Sequence, residues 1–169
     1  YMRHYPAKDV ACHVIGRVGQ VTAEEIERLN ADPDQADWLD RMRDDYHGGD
    51  TLGKTGVEKM CEPLLRGRRG YRLRRRYDGS HILVDSDEPV RGQDIHLTLD
   101  LRLQRALTER LRMTGHNAAA VVLSVPTREI LALVSVPTYD VNRYGELFEQ
   151  LRTDRRNVPL INRAVARQY

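Results

Sequence analysis

Nucleophilic catalysis needs a serine, threonine or cysteine with a base that activates it. The chain offers four serines, Ser80, Ser86, Ser124 and Ser135. None is followed three residues later by lysine, and none lies in a G-x-S-x-G elbow. The histidines are His4, His13, His47, His81, His96 and His116, and no two are spaced to grip a metal from one helix. Cys12 and His13 are neighbours on an expected strand, so they should point to opposite faces. Two cysteines, Cys12 and Cys61, are too few for a disulfide framework or a four-cysteine zinc site, while one bridge between them stays open. No catalytic, cofactor-binding or metal-binding residue is assigned.

Two stretches invite a functional reading. Gly48 to Thr55 spells G-x-x-x-x-G-K-T, the phosphate-loop pattern. That loop needs a buried strand before it, and Arg41-Met-Arg-Asp-Asp-Tyr-His47 cannot supply one. Asp50 would also put a carboxylate inside an anion cradle. The stretch is read as a flexible loop feeding a helix capped by Thr55. Arg66 to Arg76 holds seven arginines in eleven residues, which suggests a site for nucleic acid or anionic lipid headgroups. Tyr71, Leu73 and Tyr77 alternate with Arg72, Arg74 and Arg76, so an amphipathic strand with a solvated face is the favoured reading of the run.

These residues must be positioned by an α+β chain. Residues 10–21 read as a strand through Val10, Cys12, Val14 and Val18. Thr22-Ala-Glu-Glu25 is a capping box that starts a helix, with Ile26 and Leu29 inward. Residues 30–54 read as mostly loop, with one helical turn near Trp38. Thr55-Gly-Val-Glu58 is a second capping box, opening a helix with Val57, Met60, Cys61, Leu64 and Leu65 that ends at Gly67 and is kinked or stopped early by Pro63. Asp78-Gly79 joins a hairpin whose return strand carries Ile82 and Val84. Pro89 and Gly92 mark a domain boundary.

Beyond it, Ile95, Leu97 and Leu99 read as a short strand. Asp100 caps a helix with the stripe Leu103, Ala106, Leu107 and Leu111. Residues 118–125 and 130–136 are two apolar strands covered on both faces. A last helix carries Tyr144, Leu147, Phe148 and Leu151, and Arg163 to Tyr169 starts another. The length of 169 residues suits one domain or two small ones. With 40% hydrophobic and 31% charged residues the composition is globular, and a net charge of +2 points to no polyanion by itself. The apolar runs are far shorter than a membrane span requires.

The order of motifs resembles that of the class B penicillin-binding proteins, peptidoglycan D,D-transpeptidases, and most of all their elongation-type, penicillin-binding protein 2-like branch. His13-Val-Ile-Gly-Arg-Val-Gly19 is similar to the family's H-x-x-G-x-x-G. Gly53-Lys-Thr-Gly-Val-Glu58 and Leu65-Arg-Gly-Arg-Arg-Gly70 resemble its G-x-x-G-x-E and L-R-G-x-x-G. Pro89 to Gly92, Leu97-Thr-Leu-Asp100 and Leu103-Gln104 resemble its lead into the transpeptidase domain. Ile130 to Pro137, Tyr139-Asp-Val-Asn142 and Pro159-Leu-Ile-Asn-Arg-Ala164 follow in the family's order. Two departures stand out: Arg128 where the family has Gly, and Pro63 inside the helix.

The resemblance implies a pedestal, or dimerisation, domain at 1–92. It also implies that 93–169 are the first helix and two antiparallel strands of an incomplete transpeptidase sheet, ending before the catalytic serine. Lys54-Thr55-Gly56 spells the family's K-T-G, but it leads into a helix start and is read as no active-site element. The chain is therefore expected to be inactive by itself. In the parent it would support the catalytic domain on the periplasmic side of the inner membrane, from an anchor outside this chain. Its expected partners are proteins of the elongation machinery and, through exposed apolar faces, a second copy. β-Lactams would bind only with the catalytic half, no cofactor is implied and no nucleic acid is expected. The alternative is a polyanion-binding module on Arg66–Arg76.

Overall fold

The Asp100 carboxylate accepts hydrogen bonds from the backbone N–H groups of Arg102 at 2.8 Å and Leu103 at 3.1 Å, so the longest helix starts where the sequence places it. The structure, a computed structural model, describes residues 3–30 and 44–166; the turn expected near Trp38 lies outside them. In chain order the helices are α1 (Cys12–Ile15), α2 (Ala23–Leu29), α3 (Gly56–Met60), α4 (Glu62–Leu65), α5 (Leu101–Met113) and α6 (Tyr144–Thr153). The strands are β1 (Arg17–Gln20), β2 (Thr51–Thr55), β3 (Tyr71–Tyr77), β4 (Ser80–Asp87), β5 (Ala118–Leu123) and β6 (Ile130–Val136). They pair as β1–β2, β3–β4 and β5–β6, giving an α+β chain with three two-stranded sheets among the described residues.

The chain divides into two compact units. One comprises Tyr1–Val18, Gly53–Met60 and His96–Tyr169; the other comprises Gly19–Leu52 and Cys61–Ile95. In the first, α5 lies along β6, and Ala132, Val134 and Val136 are buried. The expected apolar stripe of α5 is only partly inward: Leu103, Leu107 and Leu111 are half-buried beside two fully buried polar residues. Gln104 and Thr108 are its buried residues, whereas Ala106 is exposed. Gln104 donates from Nε2 to the Leu133 carbonyl at 2.7 Å and accepts from the Leu133 N–H at 2.8 Å. One side-chain amide thus satisfies both backbone groups of a half-buried strand residue, as a neighbouring strand would.

In the second unit, Thr22 and Glu25 form both bonds of the capping box. The β3–β4 hairpin turns at Asp78 and Gly79, whose φ values of 47° and 77° are those of the tight hairpin turn the Asp-Gly pair signals. Arg68 and Val90 exchange backbone hydrogen bonds of 2.8 Å each and close the base.

Several expectations fail for identifiable reasons. Within 10–21 only Arg17–Gln20 is a strand, and Cys12–Ile15 is a helical turn. Ala11 in a left-handed conformation precedes that turn and Gly16, with φ 78°, ends it. Cys12 and His13 therefore do not face opposite ways: Sγ lies 3.3 Å from the ring Nδ1. Thr51–Thr55 is a strand, not loop. The second capping box does not form, because Glu58 is buried and turns toward Tyr5 and Arg3 instead of Thr55. Pro63 acts as expected, since the helix breaks between Met60 and Glu62. Residues 95–99 form no strand; only Thr98 and Asp100 bond toward β6, at 2.7 and 2.9 Å. β5 and β6 pair antiparallel, but β5 is covered on one face only, with Val121 and Leu123 exposed. Of the helix expected to start at Arg163, residues 162–166 make a single turn, and residues 167–169 lie outside the described residues.

Arg128 adopts φ 60°, the left-handed conformation that explains why Gly suits this turn. Gly16 has no such latitude, because a Cβ there would run into the Thr55 carbonyl. Gly16→Ala should therefore lose at least about 3 kcal/mol in urea unfolding, while Arg128→Gly should be neutral or gain up to about 1 kcal/mol.

Candidate functional site: where the sequence motifs meet

The motifs scattered along the sequence converge in the first unit. His13, on α1, bonds through Nε2 to the Pro159 carbonyl at 2.8 Å. A carbonyl only accepts, so Nε2 carries the proton and Nδ1 is free to accept from the Cys12 thiol. The Tyr139 ring stands edge-on to the imidazole, with centroids 5.4 Å apart. Cys12, Tyr139 and Val141 are buried together, with Tyr5, Tyr144, Leu151 and Leu160 around them. Arg17 lies over the Tyr144 ring at 4.0 Å, and Tyr144 continues the aromatic row to Phe148.

The other motif residues make the same kind of contact. Asn142 accepts from the Tyr5 N–H and donates to the Tyr5 carbonyl, each at 2.9 Å. Asp140 orders Asn142 by accepting from its backbone N–H at 2.9 Å. Ser135 donates to the Ile161 carbonyl and accepts from the Arg163 N–H, both at 3.1 Å. The nearly buried Arg163 guanidinium takes the carbonyls of Val158 and Asn157. Residues 157–163 are thereby held from three sides, by α1, by β6 and by their own arginine. Glu58 accepts from the Tyr5 hydroxyl at 3.2 Å and faces Arg3 Nε at 3.4 Å.

The electrostatics favour holding over reacting. Burial pushes the Cys12 thiol up to about 11, so the reactive thiolate is not formed at neutral pH. Burial, with Glu58 beside it, pushes the Tyr5 hydroxyl up to about 12 and keeps it a donor. Burial also lowers the His13 imidazole below its ordinary value, against the bond to Pro159 that favours the charged form. No water-sized space opens where Cys12, His13, Gln104 and Ser135 meet, so the thiol–imidazole pair has no room for a substrate. Sequence reasoning missed this pair because it placed Cys12 and His13 on a strand; Cys12 immediately before the H-x-x-G-x-x-G motif that begins at His13 was the only signal.

The second unit repeats the pattern. Asn30 donates to the Tyr46 carbonyl and accepts from its N–H, each at 2.8 Å. Arg66 stacks on the Tyr46 ring at 3.6 Å and bonds the carbonyls of Asp44 and Asp45. Arg69 also bonds the Asp45 carbonyl, at 2.8 Å, and pairs with Asp50. Arg68 holds Asp44 at 2.9 Å. Burial raises Asp50, but the Arg69 bond and the His47 N–H outweigh it and hold the carboxyl below its ordinary range. The phosphate-loop stretch is thus a turn followed by β2, with its carboxylate already taken. Lys54 and Thr55 close β2 and Gly56 opens α3. Among the described residues no cluster of His, Cys, Asp or Glu could hold a metal, and both cysteines are free thiols.

This is an α+β module whose characteristic residues bind its own backbone. The profile of the "Penicillin-binding Protein dimerisation domain" matches residues 1–97, and the chain belongs to that family, in a penicillin-binding protein 2-like form. It is 35% identical over 174 residues to the peptidoglycan D,D-transpeptidase MrdA of Escherichia coli K12, covering 99% of this chain and 26% of that protein. It is 36% identical over 173 residues to MrdA of Acinetobacter baumannii, covering 99% of this chain and 24% of that one. Among solved structures it is similar to the PBP2 and MreC complex of Helicobacter pylori, with TM-score 0.74 and 25% identity over 95% of this chain and 28% of that one. It is also similar to Pseudomonas aeruginosa PBP2 in complex with WCK 5153, with TM-score 0.68 and 30% identity over 95% and 30%. The chain spans about a quarter of the length of the curated relatives.

A half-buried histidine held neutral makes stability depend on pH. The folded His13 titrates below the unfolded value of 6.5, so the unfolded state binds more protons just below it and stability falls as pH falls through that range. Urea midpoints between pH 7.5 and 5 should drop more for the native chain than for His13→Gln, with the extra slope at most about 1.4 kcal/mol per pH unit.

Proposed function

We propose that this chain is the pedestal of a peptidoglycan D,D-transpeptidase together with the opening part of its catalytic domain. The observation that carries the reading is the alignment with transpeptidases over 99% of the chain. It gains support from the motif residues His13, Gln104 and Asn142, each of which spends its polar group on a distant stretch of backbone, and from Arg163, which holds the carbonyls of Asn157 and Val158 in its own segment. On this reading residues 1–92 are the pedestal and 93–169 begin the transpeptidase domain. None of Ser80, Ser86, Ser124 and Ser135 is followed three residues later by lysine, so none is assigned the acyl-accepting role.

The pedestal carries the catalytic domain on the periplasmic side of the inner membrane and offers surfaces to proteins of the elongation machinery. A PBP2 relative is in complex with MreC, which supports a partner of that kind. No helix among the described residues is long and apolar enough to cross a membrane. The exposed Val121 and Leu123 on β5 support self-association when nothing covers that face.

Intact mass after incubation with a penicillin tests the reading. The chain should gain nothing, and the full-length protein should gain one covalent adduct. A folded full-length protein that gains none would overturn it. Light scattering on the 19.5 kDa chain should show a mass rising with concentration; a monomer throughout would remove the second-copy contact.

A further inference from the structure

Four of the seven clustered arginines have no part in holding the fold. Arg66, Arg68 and Arg69 are engaged with residues 44–50. Arg72, Arg74, Arg75 and Arg76 lie on β3, where every residue but Tyr71 is exposed, opposite a β4 exposed throughout. Arg74, Arg75 and Arg76 make no ion pair with a described residue, and Arg72 reaches only Glu88, at 3.7 Å with both ends in solvent. The hairpin therefore keeps a charge run that no core or counter-charge explains.

The register sorts those charges. Arg72 lies opposite Ser86, Arg74 opposite Leu83 and Arg76 opposite His81, and directly paired residues share a face. The register shifts after Leu73, leaving Val84 as the extra residue of a bulge. Asp85 and Asp87 fall on the other face, opposite Leu73 and Tyr71, and Asp85 there accepts from the Tyr71 hydroxyl at 2.6 Å. One face thus presents Arg72, Arg74 and Arg76 about 7 Å apart, free of strand carboxylates. On that face the exposed Leu83 stands beside Arg74, whereas Ile82, opposite Arg75, and Tyr77, opposite Ser80, fall on the other face.

We propose that this arginine face docks on an anionic lipid surface. Phosphate headgroups supply the counter-charge that the fold lacks. Arginine stems and the exposed Leu83 among them suit the shallow headgroup region, where a duplex groove would offer only charge. The inference is independent of the transpeptidase reading, since vesicle binding requires no acylation and the two experiments fail separately.

The test is co-sedimentation of the chain with vesicles of phosphatidylcholine alone or with about 30% phosphatidylglycerol. Binding should require the anionic lipid and weaken as salt rises from roughly 50 to 200 mM. The triple variant Arg72→Gln/Arg74→Gln/Arg76→Gln should lose about 100-fold in partitioning, at roughly fivefold per arginine. Arg102→Gln/Arg105→Gln/Arg110→Gln, with equal charge loss on exposed positions of α5, should retain most of it. These hairpin positions are solvent-exposed, so an unchanged urea midpoint will confirm that the variant is folded. Equal losses in both triple variants, equal binding to neutral vesicles, or binding to a DNA duplex but not to vesicles would each overturn the proposal.

Discussion

A backbone polar group taken out of water must find a partner or cost about 1–3 kcal/mol. This chain is short of ladders, with three separate two-stranded sheets among its described residues, so much of that demand falls on side chains. Three amides meet it in the same way: Gln104 on Leu133, Asn142 on Tyr5 and Asn30 on Tyr46, each giving one bond and taking one. His13, Ser135, Arg163 and Arg66 do the same for isolated carbonyls and N–H groups. Removing Gln104 or Ser135 strands backbone groups that lie out of water, and polar residues, rather than the largest apolar ones, hold the most buried positions of α5.

That dependence connects fold to role. A segment held by side chains from several elements keeps one geometry only while all those elements are in place. Residues 157–163 are such a segment, fixed by His13 from near the start of the chain and by Ser135 from β6. The arrangement suits a support: it turns the mutual position of distant segments into a set of short, directional bonds. It suits catalysis poorly, since Cys12 is protonated and enclosed.

The hairpin obeys a different constraint. Its strands satisfy each other's backbone through the β3–β4 ladder, and it buries almost nothing. Its side chains are therefore free to vary without cost to the fold, and its arginines are accounted for by what lies outside the molecule. The seven clustered arginines thus divide into a structural group at 66–69 and a surface group at 72–76, a division set by whether residues 44–50 lie within reach.

The sequence by itself determined what acts over a few residues. The Thr22–Glu25 box, the Asp100 cap, the Asp78-Gly79 turn, the break at Pro63 and the pairing of the apolar runs into β5 and β6 depend on neighbours one to about ten positions away, and they were legible. The ordered motifs also made the family legible, though not what each motif residue does. Tertiary structure decided the rest. Cys12–Ile15 coils instead of extending because Gly16 must pass close to Thr55, some 40 residues away. Glu58 abandons its cap for Tyr5, 53 residues away. His13 meets Pro159 across 146 residues. Periodicity marks which side of an element is apolar, but it carries no information about which distant carbonyl a polar side chain will meet, and in this protein those meetings make the site.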